Sequence, residues 1–364
     1  MKAPARMRAR ELGIAPGILP PGALNAITDV HGVRVGHLTL IDGQDVRTGV
    51  TAVLPHDGNH YQDKTPAGLA VGNGYGKLAG ATQLVELGEI ETPILLTNTL
   101  AVPRGAEALI EWTLSQPGNE EVRSVNPIVG ETNDGLLNDI RKRALTVAHM
   151  RTAIDSAIEG RPEEGTCGAG TGTVCFGWKG GIGSSSRTLP GDAGGYVVGA
   201  LVQSNFGGLL QMGGLPVGEA LGQPRPGTPE NPMNGSVMIV LATDAPLSDR
   251  NLTRLARRGL AGLARTGASL ANSSGDYAIA FSTHESVRRT PERRGESGHQ
   301  AAGRLWAFPE VPNENMSSLF QAAIEATEEA IYNSLTMATT VTGYRGRTVE
   351  ALPLERVIAL VDAK

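Results

Sequence analysis

The apolar positions of this chain fall first into short runs broken by glycine, then into longer stretches with a helical rhythm. From Ile27, "ITDVHGVRVGHLTL" through "RTGVTAVLPH" reads as short strands joined by Gly and Asp-Gly turns. "TPILLTNTLAV" is a further apolar strand, and "RGAEALIEWTLSQPG" a helix that Pro117-Gly118 ends. From Gly135 to Glu159, residues Leu136, Ile140, Leu145, Ala148 and Ile154 recur at roughly helical intervals. Arg141, Lys142 and Arg143 take the other side as a solvated face, so one long helix is expected there. "GGYVVGALVQSNFG" predicts a strand, and another starts at Ser236. Ser248 stands as N-cap of a helix carrying Leu252, Leu255, Leu260 and Leu263. The strand "YAIAFST", a charged loop over 285–304 and the helix "MSSLFQAAIEATEEAIYNSL" complete the large elements. Strands and helices in mixed order, without a fixed repeat, predict a layered α/β or α+β fold.

Length adds little, since 364 residues allow one large domain or two ordinary ones. Glycine adds more. The 48 glycines are roughly 13% of the chain, against an average of about 7%. They lie in clusters, which points to close backbone approaches and tight turns around a site. A net charge of −5, with no basic stripe interleaved with aromatics, argues against a nucleic-acid partner. No apolar stretch is long enough to span a bilayer, and no apolar h-region follows the basic N-terminus. A cytoplasmic protein without a membrane partner is expected. Cys167 and Cys175, spaced C-x7-C, match neither a zinc pair nor a redox pair and read as structural.

Glycine clusters invite phosphate loops, but these two fail the test. "GNGYGK" has only Asn73, Gly74 and Tyr75 between its outer glycines, and Leu78 stands where a P-loop needs Ser or Thr. "GAGTG" at Gly168–Gly172 lacks the dinucleotide spacing. Such loops serve as turns or as cradles of backbone N–H groups for an anion or oxyanion. The seven histidines contain no H-E-x-x-H motif, and His56 and His60 are separated by the loop residues Gly58 and Asn59. No metal or cofactor is expected. A nucleophile elbow G-x-S-x-G is absent too.

That leaves Gly235-Ser236, where a Pro-rich polar run gives way to the apolar run "VMIVLA". One reading is an Asn234-Gly235 turn feeding a strand. The other is self-cleavage: the hydroxyl attacks the carbonyl before it, moving the acyl group from nitrogen to oxygen. Glycine offers no side chain to obstruct attack and tolerates distorted dihedrals, and the Pro-rich loop could relax away afterwards. Hydrolysis of the ester then leaves Ser236 as a new N-terminus. Its α-amine, with an ordinary pKa of about 7.7–8.0, is a general base carried by the nucleophile itself.

At these residues the chain resembles the L-aminopeptidase/D-esterase family, which includes the β-peptidyl aminopeptidases. The matching stretches are "NGSVMIVLATDAPL", "ALVQSNFG", "WKGGIGSSSR", "GETNDG", "ANSSGDYAIAFST" and "GVRVGH", spread over nearly the whole chain. The resemblance implies one catalytic domain over 1–364, an α+β, four-layer α/β/β/α sandwich of the aminopeptidase/ornithine acetyltransferase type. It implies cleavage into a large subunit, 1–235, and a small one, 236–364, assembled as a homo-oligomer of cleaved pairs. By position, Ser236 corresponds to the nucleophile, and Ser274 and Asp276 to the residues that orient it and its amine. Asn205 corresponds to the oxyanion donor, and Glu131 to the carboxylate that holds the substrate's free amino group. Two positions on, family members carry a Tyr as second oxyanion donor, where this chain has Asn133. Local sequence alone also fits humbler roles: turn residues at Asn205 and Asp276, and a helix-start acid at Glu131.

The expected activity is release of N-terminal residues from small peptides, amides or esters. Two alternatives stay open on the residues: an acyltransferase of the ornithine acetyltransferase type, and a non-catalytic binding protein that is never cleaved.

Overall fold

The computed structural model describes residues 6–228, 234–294 and 305–363. The longer elements, in chain order, are β1 (Arg34–Asp42), β2 (Val46–Leu54), β3 (Thr65–Gly74), β4 (Ile94–Asn98), α1 (Val102–Leu114), β5 (Ile128–Thr132) and α2 (Val147–Asp155). Then follow β6 (Gly181–Thr188), β7 (Val197–Phe206), β8 (Asn234–Thr243), α3 (Asp249–Arg265), β9 (Ser273–Ser282) and α4 (Met316–Thr336). One sheet runs β1-β2-β4-β5 and ends on the short strand Leu78–Ala79. The other runs β6-β7-β8-β9-β3 and ends on Glu89–Ile90. Neighbours are antiparallel, apart from the parallel pairs β4 with β5 and β8 with β9.

Side chains alternate across a strand, and this alternation sorts the core into three apolar interfaces. From β8, Val237, Ile239 and Leu241 pack with Leu252 and Leu255 of α3 and Leu319 and Ala326 of α4. Met238, Val240 and Ala242 of the same strand meet Val53, Ile94 and Leu96 of the other sheet. That sheet's far face, with Val50, Ala52, Leu95 and Val129, packs on Leu109 and Trp112 of α1 and Met150 and Ile154 of α2. Three interfaces separate four layers, α/β/β/α, as the resemblance implies. A strand covered on both faces has no polar alternate positions, which explains the unbroken apolar run after Ser236.

Two expectations are corrected here. The long helix from Gly135 to Glu159 is confined to α2. The preceding segment makes only a single 3-10 turn at Ile140–Lys142, stopped by Arg143 in the left-handed region at φ 48°. Its backbone is claimed by neighbouring loops: Asp139 N–H donates to Asp45 O at 2.7 Å, and Leu137 O accepts from Tyr344 N–H at 2.7 Å. Tertiary hydrogen bonds here outweigh a helical spacing of apolar residues. Asn234 and Gly235 form no turn either; they are the first residues of β8. Ser248 does cap α3, its Oγ accepting from Asn251 N–H at 3.4 Å. Most of the Pro-rich run, 229–233, and the second half of the charged loop, 295–304, lie outside the described residues.

Candidate active site

At one end of the sandwich a cavity of about 630 Å³ opens between the sheets. Strands β3, β4, β5 and β7 finish there, and β8 and β9 begin there; β5, β7, β8 and β9 supply wall residues, as do the residues just after β3 and β4. Ser236, third residue of β8, lies on this wall and is 4% exposed. The ladder puts Asn205 of β7 opposite it and Gly275 of β9 on its other side. By alternation, Ser236 and Asn205 share the face of Met238 and Gln203, which look toward the other sheet. Gln203 confirms the direction, since its Nε2 donates to Thr97 O and to Thr132 Oγ1.

Gly235 adopts φ 138°, and a Cβ on it would fall 2.2 Å from Asn205 O and 2.5 Å from Phe206 Cα. Only glycine fits before Ser236, for reasons of both dihedral and space. Asn205 itself is fixed by Val174, whose N–H donates to Oδ1 at 2.9 Å. That bond settles which end of the amide is the carbonyl and leaves the NH2 group to donate. Val174 pairs with Lys179 in a short hairpin. The buried Lys179 ammonium donates to Gly170 O and Gly180 O, both at 2.7 Å, and burial lowers its pKa to about 7. Through Gly170 the "GAGTG" cluster thus anchors the Lys179 end of that hairpin.

Ser274 and Asp276 flank Gly275 on β9, on the face that carries Ala278 and Ala280 toward the helices. Gly235 pairs with Ser274, so Ser274 lies beside the Gly235 end of the peptide bond in the ladder, on the face opposite Ser236. Ser274 Oγ donates to Asp276 Oδ1 at 2.6 Å. Asp276 Oδ2 is buried with no partner among the described residues. Burial pushes this carboxyl up to about 6. Between them, a Cβ on Gly275 would lie 2.5 Å from Gly76 Cα, so glycine lets the loop after β3 cross closely.

Glu131 sits in β5, 3% exposed, and is no helix-start residue. Its Oε1 accepts from Lys77 N–H at 2.9 Å, and its Oε2 accepts the Thr99 hydroxyl. Asn133 is exposed on the same cavity, with Oδ1 accepting Gly135 N–H at 3.0 Å. The fold thus brings all seven sequence-picked residues to one end of the sheets. Sequence reading missed Thr99, Val174, Lys179 and the hairpin that brings Arg347 and Val349 to the cavity. Nothing in their spacing marks them, because only packing turns them toward the site.

His56 and His60 stack at 4.4 Å as buried rings, and burial lowers both pKa values. Among the described residues no cluster of His, Cys, Asp and Glu could hold a metal ion. Cys167 and Cys175 are buried free thiols, and burial raises both, Cys175 to about 12.

The model of peptidase family S58 matches residues 25–349. The chain belongs to peptidase family S58. It is similar to the beta-peptidyl aminopeptidase BapA of Sphingosinicella microcystinivorans, at 39% identity over 97% of this chain and 91% of that one. A Burkholderia sp. beta-aminopeptidase of solved structure is 41% identical, with a TM-score of 0.89 over 98% of this chain and 99% of that one. The L-aminopeptidase D-Ala-esterase/amidase of Ochrobactrum anthropi, described as a new variant of the Ntn hydrolase fold, is 35% identical. Its TM-score is 0.87, with 98% of each chain covered. The S58 chain is a hydrolase of the aminopeptidase type. A hydrolase of the aminopeptidase type is neither an acetyltransferase nor a non-catalytic binder.

Proposed function

We propose that the chain cuts itself between Gly235 and Ser236 and then releases N-terminal residues from small peptides, amides or esters through an acyl-enzyme on Ser236. The observation that carries this reading is the Gly235–Ser236 pair itself. A backbone position that admits only glycine precedes a buried serine on the cavity wall, with an amide donor opposite. Ser236 Oγ attacks the Gly235 carbonyl, the C–N bond breaks as the C–O bond forms, and water releases Gly235 as a carboxylate. The resulting pieces, 1–235 and 236–364, stay together because β8 pairs with β7, and β9 with β3, across the cut.

In turnover the substrate's ammonium docks on Glu131, a charge-assisted hydrogen bond. The Ser236 amine takes the hydroxyl proton as Oγ attacks the carbonyl, and the oxyanion accepts from the Asn205 NH2, with Asn133 as second donor. The protonated amine hands its proton to the leaving group, and water repeats the sequence to free the acid. Ser274 and Asp276 hold the amine from the Gly235 side. Sequencing the N-termini of the purified protein tests the proposal: Ser-Val-Met-Ile is expected beside the original terminus, and its absence from active enzyme ends the case.

Glu131→Gln keeps the hydrogen bonds of one oxygen but loses the charge. We expect kcat/KM to fall roughly 10–100-fold, from the worth of a charged hydrogen bond, with processing intact; an unchanged KM and rate would remove Glu131 from substrate binding. Asp276 gives a pH test. Its carboxyl titrates near 6 in the fold and near 3.9 when unfolded. Between these values the folded state binds more protons, so rising pH costs stability. In the uncut Ser236→Ala background, Asp276→Asn should therefore raise Tm above about pH 6 more than below about pH 4; in the processing-competent chain it should lower activity. Equal Tm changes at both ends would refute the buried carboxylate.

A cytoplasmic location fits the two free thiols, and among the described residues no helix is long and apolar enough to cross a membrane. Exposed apolar side chains such as Val85 and Leu87 suit assembly into a homo-oligomer, to be read from sedimentation. Because the similar proteins include beta-peptidyl aminopeptidases, substrates with an N-terminal β-residue belong in the first assays.

A further inference from the structure

Among the described residues, three charged side chains line the cavity wall: Glu131, Lys77 and Arg347. Once Glu131 is matched to the substrate's ammonium, the two charged side chains left over are both cationic. Lys77 leans on its own neighbour, with Nζ donating to Tyr75 O at 3.3 Å and lying 5.4 Å from the Tyr75 ring centre. Arg347 has no carboxylate within 4.0 Å among the described residues. Its guanidinium makes one long bond, Nη1 to Leu136 O at 3.4 Å, and lies 6.0 Å from the Tyr344 ring centre.

Arg347 is nonetheless held in place by a built hairpin. Strands Val341–Thr342 and Thr348–Val349 pair around it, and Gly343 N–H donates to Arg347 O at 2.9 Å. The hairpin is tied to the cavity wall on one side by Tyr344 N–H to Leu137 O at 2.7 Å. On the other, Lys179 N–H donates to Glu350 O at 2.8 Å, next to the hairpin that positions Asn205. Gly343 permits this docking, since a Cβ there would fall 2.1 Å from Leu137 O.

We propose that Arg347 is a specificity-determining residue that receives a carboxylate of the substrate. Its planar fork matches a carboxylate with two parallel N–H donors, so a substrate with an ammonium at one end and a carboxylate elsewhere complements both charges of the wall. This inference rests on the aminopeptidase reading of the same cavity. The carboxylate has two sources: the free C-terminus of a dipeptide's leaving residue, or the side chain of an N-terminal Asp or Glu.

Purified processed enzyme is assayed on two matched pairs: a dipeptide against its C-terminal amide, and aspartyl p-nitroanilide against asparaginyl p-nitroanilide. One pair should show a preference of roughly 10-fold in kcat/KM for the carboxylate member, the size expected of a charged hydrogen bond. Which pair it is names the source. In Arg347→Met that ratio should fall to near 1, whatever happens to the overall rate. In Arg347→Lys, which keeps the charge without the fork, it should be intermediate. Raising salt should shrink the native ratio, because the side chain is exposed. Indifference in both pairs, or a ratio that survives in Arg347→Met, overturns the assignment; a ratio that vanishes only in Lys77→Met does so too. Hydrolysis of the neutral members without preference defeats this inference alone, whereas hydrolysis of none of the substrates defeats the aminopeptidase reading beneath it.

Discussion

Replacing Ser236 with alanine is expected to leave a single chain of 38.0 kDa that hydrolyses no amide or ester above background. The native protein should run on a denaturing gel as two bands of about 24 and 14 kDa, in proportion to subunit lengths. Both losses follow from one atom. The Oγ of Ser236 is the only group proposed to attack the Gly235 carbonyl, and without that attack the α-amine that serves as general base is never released. The fold should survive. Ser236 lies in β8 between paired strands, its hydroxyl makes no side-chain hydrogen bond among the described residues, and Ala fits where Ser does. The variant should therefore keep a cooperative melt and a native-like circular dichroism spectrum, which separates a chemical loss from a structural one. Two bands from Ser236→Ala, or activity from its uncleaved chain, would each defeat the proposal.

Asn205→Ala is expected to lower kcat by roughly 10²–10³, the usual cost of one oxyanion donor, with KM nearly unchanged because the bond matters in the transition state. Rates are to be taken per Ser236 N-terminus, since the same donor serves the carbonyl of Gly235 during processing. The variant also frees the Val174 N–H, at a stability cost of about 1 kcal/mol. Asn205→Asp provides the sharper contrast. It keeps an oxygen for Val174 but turns the donating end into a second acceptor, which repels the developing negative charge. A loss at least as deep as that of alanine is expected. An Asp variant with near-native kcat would show that Asn205 only braces the Val174 hairpin.

Of the proposed catalytic residues, only Gly235-Ser236 is legible from its own context; Asn205, Ser274, Asp276 and Glu131 come from resemblance by position, since local sequence alone fits turn or helix-start roles there. Gly-Ser before an apolar run is a local signal, and once the strands are in place alternation sets which face each proposed residue takes. The long helix expected after Gly135 failed for the opposite reason. Apolar spacing reports which residues seek the core, and cannot report that Asp45 and Tyr344 compete for the backbone groups a helix would need. The turn reading of Asn234-Gly235 failed similarly, since the dipeptide that favours a hairpin turn also starts a strand when Asn205 and Phe206 press against it.

Read linearly, the chain already marks its candidate nucleophile, the glycine before it and its apolar strands, all properties of near neighbours. Other features exist only once 364 residues are packed. Val174 orients the Asn205 amide across 31 positions, Lys179 is stripped of water until its pKa falls to about 7, and Arg347 arrives from the far end of the chain. Hydrogen-bond partners and desolvation depend on distance in space, and sequence separation carries no measure of it.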